Sequence, residues 1–553
     1  MKKNPLIWLA GKIRSRIPMV VLLTIFNIAH ALLGVFFALG SRGVIDSAVS
    51  ADKGRFLHAC TIQAYIILGI LLCLALMRHL QERLRADLER DWKQNLLHGL
   101  LHGEYAAIKE YHSAELLNRL NNDVTKINDG ILAIVPSTAA MVTKVGAAIV
   151  VLGILDLRFT VLILIVGLLV FSVTGFMRKK LKDLNKTVSA QDGKVSGFLQ
   201  EIMEKLLMVQ AMDASNEVES RADILLEARY QMQQKRKNVS LMTNMGVSIF
   251  SYGAGFIALI WGANRLLQGQ ISFGSLTAII QLVNQVKSPF VNLSGIFPLY
   301  IAMMASAERL MELDAIQGEP VPCSEDPVAL YSKATEIIGR NLSFAYDRES
   351  VLRDAEFVLP KGAFAVITGP SGIGKSTLLK LMLGIFQPEA GKICLDCGEE
   401  SLTLDRSTRK LFAYVPQGNL LLSGSLRDNL TIVKPDATEV EFRQAIYISN
   451  MEDVISSLPD GLDTVLGESG GGLSEGQAQR LAIARAVLGG APILLLDECT
   501  SALDEETEKI VLHRLRDLPD RTCIAVTHRS AAMEVCDWKL EIQNGKIKAI
   551  KMK

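Results

Sequence analysis

Apolar residues along this chain gather into six long runs, at about 17–40, 59–77, 131–154, 158–177, 246–267 and 271–301. At 1.5 Å per helical residue, each run is long enough to cross a hydrocarbon layer of about 30 Å. Six crossings return the chain to the side on which it started. The connections say which side that is. Three of them, about 41–58, 155–157 and 268–270, are short and carry few basic residues. The others are long and basic. About 78–130 holds Arg78, Arg83, Arg85, Arg90, Lys93, Lys109, Arg119 and Lys126, and about 178–245 opens on Arg178-Lys179-Lys180. An excess of Lys and Arg marks the cytoplasmic side.

The basic connections also keep helical periodicity, over Arg78 to Leu101, Ser113 to Asn128, about 186–211 and about 216–240. They predict spans that continue into the cytosol and meet in two short crossings, near Glu104–Tyr111 and Met212–Glu217. Such levers are placed to touch another domain. Ahead of the first run, Lys2, Lys3, Lys12, Arg14 and Arg16 occur without any acid, and Leu6, Ile7, Leu9, Ile13 and Ile17 share a helix face. A short amphipathic helix on the inner membrane surface has this pattern. A secretory signal does not fit, because the following run is too long.

Polar residues inside the runs change the picture. Gln281, Asn284, Gln285 and Ser288 recur at i, i+3, i+4 and i+7, with Asn292 continuing the stripe, so one helical face is polar. Lipid penalises such a face, which predicts a wet translocation cavity or hydrogen bonding between helices. Lys144 lies near the middle of the third run, and no Asp or Glu occupies any span interior. A cation there costs roughly 2.5–3.5 kcal/mol and marks function. Contact with an anionic substrate group is the expectation; a solvated or snorkelling side chain is the alternative. His30 and Lys287 carry weaker forms of the same signal.

After about 305 the pattern breaks. Gly318-Glu319-Pro320-Val321-Pro322 and Pro327 raise the density of turn formers, and periodicity is lost. The predicted division is 1–315 for the helical membrane domain, 316–335 for a linker and 336–553 for a second domain. There, short β-type runs alternate with helical stretches, the mark of an α/β core with a parallel sheet. Composition agrees with a two-part chain. Of 553 residues, 49% are hydrophobic and 21% charged, with a mean hydropathy of +0.27, too apolar for a soluble protein of this length. A net charge of +1 gives no basis for binding nucleic acid. Of the 8 cysteines, Cys394, Cys397, Cys499, Cys523 and Cys536 fall in the second domain, which faces a reducing cytosol, so no disulfide framework is expected. Cys394-x-x-Cys397 has neither a second pair nor a histidine tract to make a metal site.

The second domain carries its chemistry in two motifs. Gly369-Pro370-Ser371-Gly372-Ile373-Gly374-Lys375-Ser376-Thr377 is a Walker A phosphate loop, following the apolar run Ala363–Ile367 and preceding a helix from Leu378. Its glycines let the backbone wrap phosphates, its N–H groups and the helix start supply positive potential, and Lys375 reaches the β/γ-phosphates. Pro492-Ile493-Leu494-Leu495-Leu496-Asp497-Glu498 is a strand ending in Asp-Glu, a Walker B. Ser376 and Asp497 would hold Mg²⁺, and Glu498 is placed to polarise the attacking water.

Leu473-Ser474-Glu475-Gly476-Gln477 resembles the signature motif of the ABC (ATP-binding cassette) transporters. The rest of that family's pattern follows in order. Tyr346 resembles the aromatic residue stacked on adenine. Gln417 resembles the glutamine that contacts Mg²⁺ and senses the γ-phosphate. Ser501-Ala502-Leu503-Asp504 resembles the D-loop, and His528 the switch histidine. Glu468-Ser469-Gly470 resembles the element that touches the membrane domain in exporters, and Ala305-Ser306-Ala307-Glu308-Arg309 the end of their last membrane helix. The resemblance implies an α-helical six-span membrane domain followed by an α/β P-loop NTPase domain, a type I exporter-like half-transporter. It also implies ATP and Mg²⁺ as ligands, hydrolysis by Glu498, His528, Gln417 and Lys375, and a second half-transporter chain whose signature residues meet this chain's ATP. Glu475 departs from the usual glycine, but Glu498 and His528 are both present, which favours a homodimer over a heterodimer. Export or flipping of a small molecule, lipid or peptide across the inner (plasma) membrane is the implied function. Uptake on the same scaffold and a non-pumping regulatory role are the rivals.

Overall fold

Long helices dominate the first half, and they run on through Pro136 in one apolar run and Pro289 and Pro298 in another. In chain order they are α1 (Pro5–Lys12), α2 (Ile17–Val49), α3 (Lys53–His102), α4 (Tyr105–Lys109), α5 (Ser113–Asn118), α6 (Val124–Leu155), α7 (Leu157–Glu204), α8 (Leu206–Ala211), α9 (Ser215–Leu267) and α10 (Phe273–Asp314). The structure, a computed structural model, describes residues 4–316, 318, 327–346, 349–398, 401–418, 421–467 and 471–552, excepting the side chains of 166–180, 182, 247, 250, 251, 288–294 and 327. Contacts divide the chain into two units, Met1–His98 with Ser113–Ala315, and Gly99–His112 with Ile316–Lys553.

In the first unit each of the six apolar runs falls on one of the long helices α2, α3, α6, α7, α9 and α10. Among the described residues, Arg14–Val49, Lys53–His102 and Ser113–Leu155 are long and apolar enough to cross a membrane. The 50 residues of α3 measure on the order of 75 Å, far beyond a hydrocarbon core. Side-chain caps set the boundaries. Asp156 accepts from the Phe159 N–H at 3.1 Å to start α7, and Ser272 accepts from the Ser275 N–H at 3.1 Å to start α10. Val35, Leu152, Phe159, Ile279 and Leu282 form a buried core. Large apolar residues such as Tyr65, Leu68 and Leu71 on α3 point outward, as lipid-facing residues must.

Two local departures from smooth helix matter. Between α5 and α6 the chain passes through one π-helical turn, Arg119–Asp123. Asp123, wholly buried, accepts from Arg309 at 2.8 and 2.6 Å and from the Ser306 hydroxyl at 2.9 Å. The Ala305–Arg309 run is therefore a lock between α10 and the foot of α6. The second departure corrects a boundary. The pattern over 186–211 continues as one helix, whereas α7 stops at Glu204, where Lys205 leaves helical angles at φ −112° and ψ 19°. Residues 206–211 then form a separate short helix, which periodicity cannot separate from the one before. At the N-terminus α1 forms, and Trp8 and Lys12 both bond Asp314 at the end of α10.

The second unit is an α/β cassette. It comprises α11 (Pro327–Lys333), β1 (Glu336–Tyr346), β2 (Glu349–Pro360), β3 (Phe364–Thr368), α12 (Lys375–Met382), β4 (Ala390–Asp396), β5 (Ser401–Thr403), β6 (Phe412–Val415), β7 (Gly424–Ser425), α13 (Leu426–Thr431), α14 (Glu439–Ile448), α15 (Glu452–Ser457) and β8 (Val465–Leu466). There follow α16 (Glu475–Leu488), β9 (Ile493–Asp497), α17 (Glu505–Arg516), β10 (Thr522–Val526), α18 (Ser530–Val535), β11 (Trp538–Gln543) and β12 (Lys546–Lys551). The main sheet has the order β12-β11-β3-β10-β9-β6. All its pairs are parallel except β11 with β12. A four-stranded antiparallel sheet, β2-β1-β4-β5, lies beside it. Strands β9 and β10 are buried along their whole length, which explains their unbroken apolar runs.

Gly99–His112 belongs to this unit although it lies far away in sequence. Gly103 makes a β-bridge to Gly318. Arg406 donates to the His102 carbonyl at 3.0 Å, and the Tyr105 ring sits 6.2 Å from that of Phe386. The first predicted crossing is thus seated on the cassette. Of the predicted linker, 316–335, residues 317 and 319–326 lie outside the described residues, while Pro327–Lys333 form α11, with Tyr331 and Ala334 buried in the cassette core.

Candidate ATP site

Parallel strands carry their functional loops at one edge of the sheet. Register fixes that edge here. Val526 of β10 pairs with Asp497 of β9 and with Ile367 of β3, and Val415 of β6 pairs with Leu496. The residues that follow these positions therefore gather together: the phosphate loop after β3, Gln417 after β6, Glu498 after β9 and His528 after β10.

The contacts bear out that placement. Ser376 donates to Asp497 Oδ1 at 2.8 Å. Gln417 Nε2 donates to Glu498 Oε2 at 2.7 Å, and His528 Nε2 lies 4.0 Å from Glu498 Oε1. Lys375 is buried, with its ammonium donating to the Gly369 and Pro370 carbonyls at 3.0 and 2.9 Å. Gly374 has φ 105°, and a Cβ there would meet Val351 at 2.1 Å, so only glycine lets the loop turn into α12. Pro370, Ser371 and Gly372 are exposed around the loop, while Ile373 is half-buried and Thr377 is buried. Glu498 itself has φ 50°. A left-handed glutamate is strained by about 1 kcal/mol or more and persists where the surroundings over-determine it, as at active sites. Its N–H bond to the Val526 carbonyl, 3.0 Å, is one such restraint.

Sequence reasoning missed Tyr414. Its hydroxyl donates to Asp497 Oδ2 at 3.1 Å. Burial, and then the Asp497 charge, push the phenol well above the usual tyrosine range, so it remains a donor. Beside Glu498, burial pushes the Cys499 thiol up to about 12, which leaves it an inert wall. Tyr346 stands edge-on to Phe344 and Phe386 at 5.0 and 5.5 Å. The Lys109 ammonium lies 5.6 Å from the centre of its ring.

The signature residues stand at the start of α16. Ser474 is the N-cap of a reciprocal box. It accepts from the Gln477 N–H at 3.3 Å, and Gln477 Oε1 accepts from the Ser474 N–H at 2.8 Å. Leu473 is half-buried behind them; Ser474 and Glu475 face outward. A Cβ on Gly476 would meet the Ala502 carbonyl at 2.8 Å, so the signature and the D-loop touch only because that position is glycine.

The D-loop is braced on both sides, again by residues that sequence reasoning missed. Gln479 donates to the Ser501 hydroxyl at 3.1 Å and accepts from the Ala502 N–H at 3.0 Å. Arg529 donates to the Leu503 carbonyl at 2.7 Å and to buried Glu508 at 3.1 Å. Thr500 donates to the other Glu508 oxygen at 2.7 Å. Asp504 caps α17 by accepting from the Thr507 N–H at 2.9 Å, a bond that holds its carboxyl below the usual range.

Two family descriptions match the chain. "ABC transporter transmembrane region" covers residues 20–290, and "ABC transporter" covers 352–501. A Bacillus subtilis protein described as the uncharacterized ABC transporter ATP-binding protein YwjA is 30% identical over 421 residues, 74% of this chain and 71% of that protein. The chain belongs to the ABC transporters. The mycobactin import ATP-binding/permease protein IrtB of Mycolicibacterium smegmatis is 33% identical over 368 residues, 66% of this chain and 63% of that protein. A solved bacterial Atm1-family ABC exporter with ATP bound has the same fold. It gives a TM-score of 0.80 at 23% identity, over 98% of this chain and 95% of that one. This ABC chain spans about half to two thirds of the length of the curated relatives it matches first.

Glu468, Ser469 and Gly470, the expected contact element of the cassette, lie outside the described residues. In the membrane unit, a cavity of about 380 Å³ is lined by Gln285 and Lys144 together with His30 and Asn27. Gln281 and Asn284 are not among its lining residues, and the Ser288 side chain lies outside the described residues.

Proposed function

We propose that this ABC transporter chain is one half of an ATP-driven pump that exports or flips a small molecule, lipid or peptide across the inner (plasma) membrane. Its partner is a second copy of the same chain, its surroundings are the lipid bilayer, and the cassette faces the cytoplasm. The observation that carries the reading is Glu498, hydrogen-bonded to Gln417 and close to His528 at the sheet edge that holds the phosphate loop. A complete hydrolytic set suits a working ATPase better than a regulatory protein.

Residues 369–377 bind the phosphates of ATP, with Lys375 as the mobile cation and Tyr346 as the adenine platform. Mg²⁺ fits the donors present: the Ser376 hydroxyl and the Asp497 carboxylate are hard oxygens 2.8 Å apart, with the Gln417 carboxamide nearby. When bound, the ion neutralises charge on the β- and γ-phosphates. Glu498 accepts the proton of the attacking water, Gln417 orients that carboxylate, and His528 donates to the γ-phosphate. Ser474, Gly476 and Gln477 of the second copy, at the start of a helix, close the cage on the exposed side of the nucleotide. The Ser501–Asp504 loop, braced by Gln479 and Arg529, lies between signature and catalytic residues and couples the two sites.

Closure of the two cassettes draws the cytosolic levers together and turns the cavity from one side to the other. At the tip of the second lever Leu207, Met208 and Met212 are exposed in the single chain. Apolar residues on a cytosolic tip call for a cover, and the second copy's cassette supplies one. Inward movement on the same scaffold is the second reading, favoured by the relative named for mycobactin import.

The direction is tested in inside-out vesicles containing the chain, by mass spectrometry of their contents with and without ATP. Export predicts ATP-dependent accumulation of at least one compound, absent with Glu498→Gln. ATP-dependent depletion favours uptake, and no difference between the two proteins contradicts pumping.

A further inference from the structure

Tyr346, the last residue of β1, is 36% exposed, so part of its ring is open to a ligand. The rest is held from several directions. Phe344 and Phe386 stand edge-on to it at 5.0 and 5.5 Å, and its hydroxyl lies 3.3 Å from that of Thr377. The fourth neighbour comes from far away in sequence: the Lys109 ammonium, 5.6 Å from the ring centre.

Lys109 is not carried on a free loop. It closes the five-residue helix α4 (Tyr105–Lys109). Tyr105 and Lys109 are four positions apart and share one face of that helix. Both ends of the face are seated on the same aromatic group. Tyr105 lies 6.2 Å from Phe386, Lys109 lies on Tyr346, and those two rings pack against each other. Ala106 packs against the cassette core. Ahead of the helix, Gly103 bridges to Gly318, and Arg406 holds the His102 carbonyl at 3.0 Å. The backbone behind the ammonium is therefore fixed to the cassette unit at several points.

The face of an aromatic ring is negative, and an ammonium within about 6 Å of its centre is attracted to it. Such a contact restrains the ring before a base arrives, so less freedom is lost when the base stacks. Stacked rings have centres roughly 4.5–7 Å apart, so a base on Tyr346 enters the same layer of space as the ammonium. An exposed contact of this kind corresponds to a factor of about two to five in affinity.

We propose that Lys109 is a positioning residue for the base of the bound nucleotide, and that through Tyr346 it makes the segment between α3 and α5 part of the base site. The inference rests on the nucleotide reading given above. The probe is radiolabelled ADP with Mg²⁺, which carries the base and does not turn over, bound to the full chain in phosphatidylcholine nanodiscs. Tripolyphosphate, which has phosphates and no base, is measured by its displacement of ADP. Lys109→Met keeps the side-chain length and removes the charge. It weakens ADP binding about two- to fivefold and leaves tripolyphosphate affinity unchanged, which also shows that the variant is folded. Lys109→Arg restores ADP affinity, because a guanidinium holds a ring face as well as an ammonium does. In a Tyr346→Leu chain, Lys109→Met has no further effect, since the two residues act as one unit. Unchanged ADP binding in Lys109→Met overturns the inference alone. So does an equal loss for ADP and tripolyphosphate, the mark of a long-range charge effect, and so does a full effect of Lys109→Met in the Tyr346→Leu chain. No ADP binding by the unsubstituted chain overturns the nucleotide reading and the inference together.

Discussion

Glu498→Gln is expected to bind ATP like the unsubstituted chain and to lose turnover by roughly 10²–10⁴-fold, the range supplied by a positioned general base. The amide keeps the size of the carboxylate and its place at the end of β9, so the phosphate loop is undisturbed. It cannot take a proton from water. The bond from Gln417, 2.7 Å long, would then join two amides and still hold the side chain, which separates loss of basicity from loss of position. Steady-state ATPase in nanodiscs, set beside equilibrium binding of labelled ATP, checks both halves. Turnover near the unsubstituted rate would show that Glu498 is not the base.

The second large effect is on stability. Glu508 is 1% exposed and is the anchor for Thr500 and Arg529, the latter also holding the Leu503 carbonyl. Glu508→Ala removes the anion and leaves the Arg529 guanidinium without its counter-charge. Breaking a buried pair from one side costs about 3–5 kcal/mol. Arg529 is 37% exposed, so water relieves part of this and about 3 kcal/mol is expected. For a unit of some 200 residues that is on the order of 6–12 °C in the midpoint of the cassette transition. Turnover should fall as well, because the D-loop loses one of its two braces. Thermal unfolding of the full chain in detergent gives the first value and ATPase the second. Glu508→Gln, which keeps two hydrogen-bonding atoms, should recover part of the stability. An unchanged midpoint in Glu508→Ala would mean that Gln479 alone holds the loop.

The features that sequence reasoning found are those written locally. A strand, a glycine loop and a helix occupy consecutive residues, so 364–382 reads directly from pattern, and Gly374 owes its place to a backbone angle that no other residue adopts easily. The six apolar runs are likewise continuous, and each appears on one long helix. What pattern could not give is packing between residues far apart in sequence. Tyr414 reaches Asp497, Gln479 reaches Ser501 and Glu508 reaches Arg529, yet each reads as an ordinary polar residue in its own helix or strand. The same limit explains Gly99–His112, whose place in the cassette unit depends on Gly318, Phe386 and Arg406. In α10 the period of 3.6 puts Gln281, Asn284 and Gln285 on one face, but only Gln285 among them lines the cavity. Asn27 and Ser137 come from other helices, where a single amide or hydroxyl carries no signal. The break at Lys205 was hidden because Leu206–Ala211 continues the pattern of the helix before it.

The central claim is that the phosphate loop of one copy works with the signature of another. Two variants test it together. Lys375→Ala removes the phosphate cation, and Ser474→Arg blocks the signature; each alone should leave a pair of identical copies with no intact site. When the two chains are co-reconstituted, the mixed pair joins the sound phosphate loop of the Ser474→Arg copy to the sound signature of the Lys375→Ala copy. The account predicts ATPase activity in the mixture well above both parents. If each chain completed its own site, no copy in the mixture would be whole, and activity no higher than that of the parents would contradict the account.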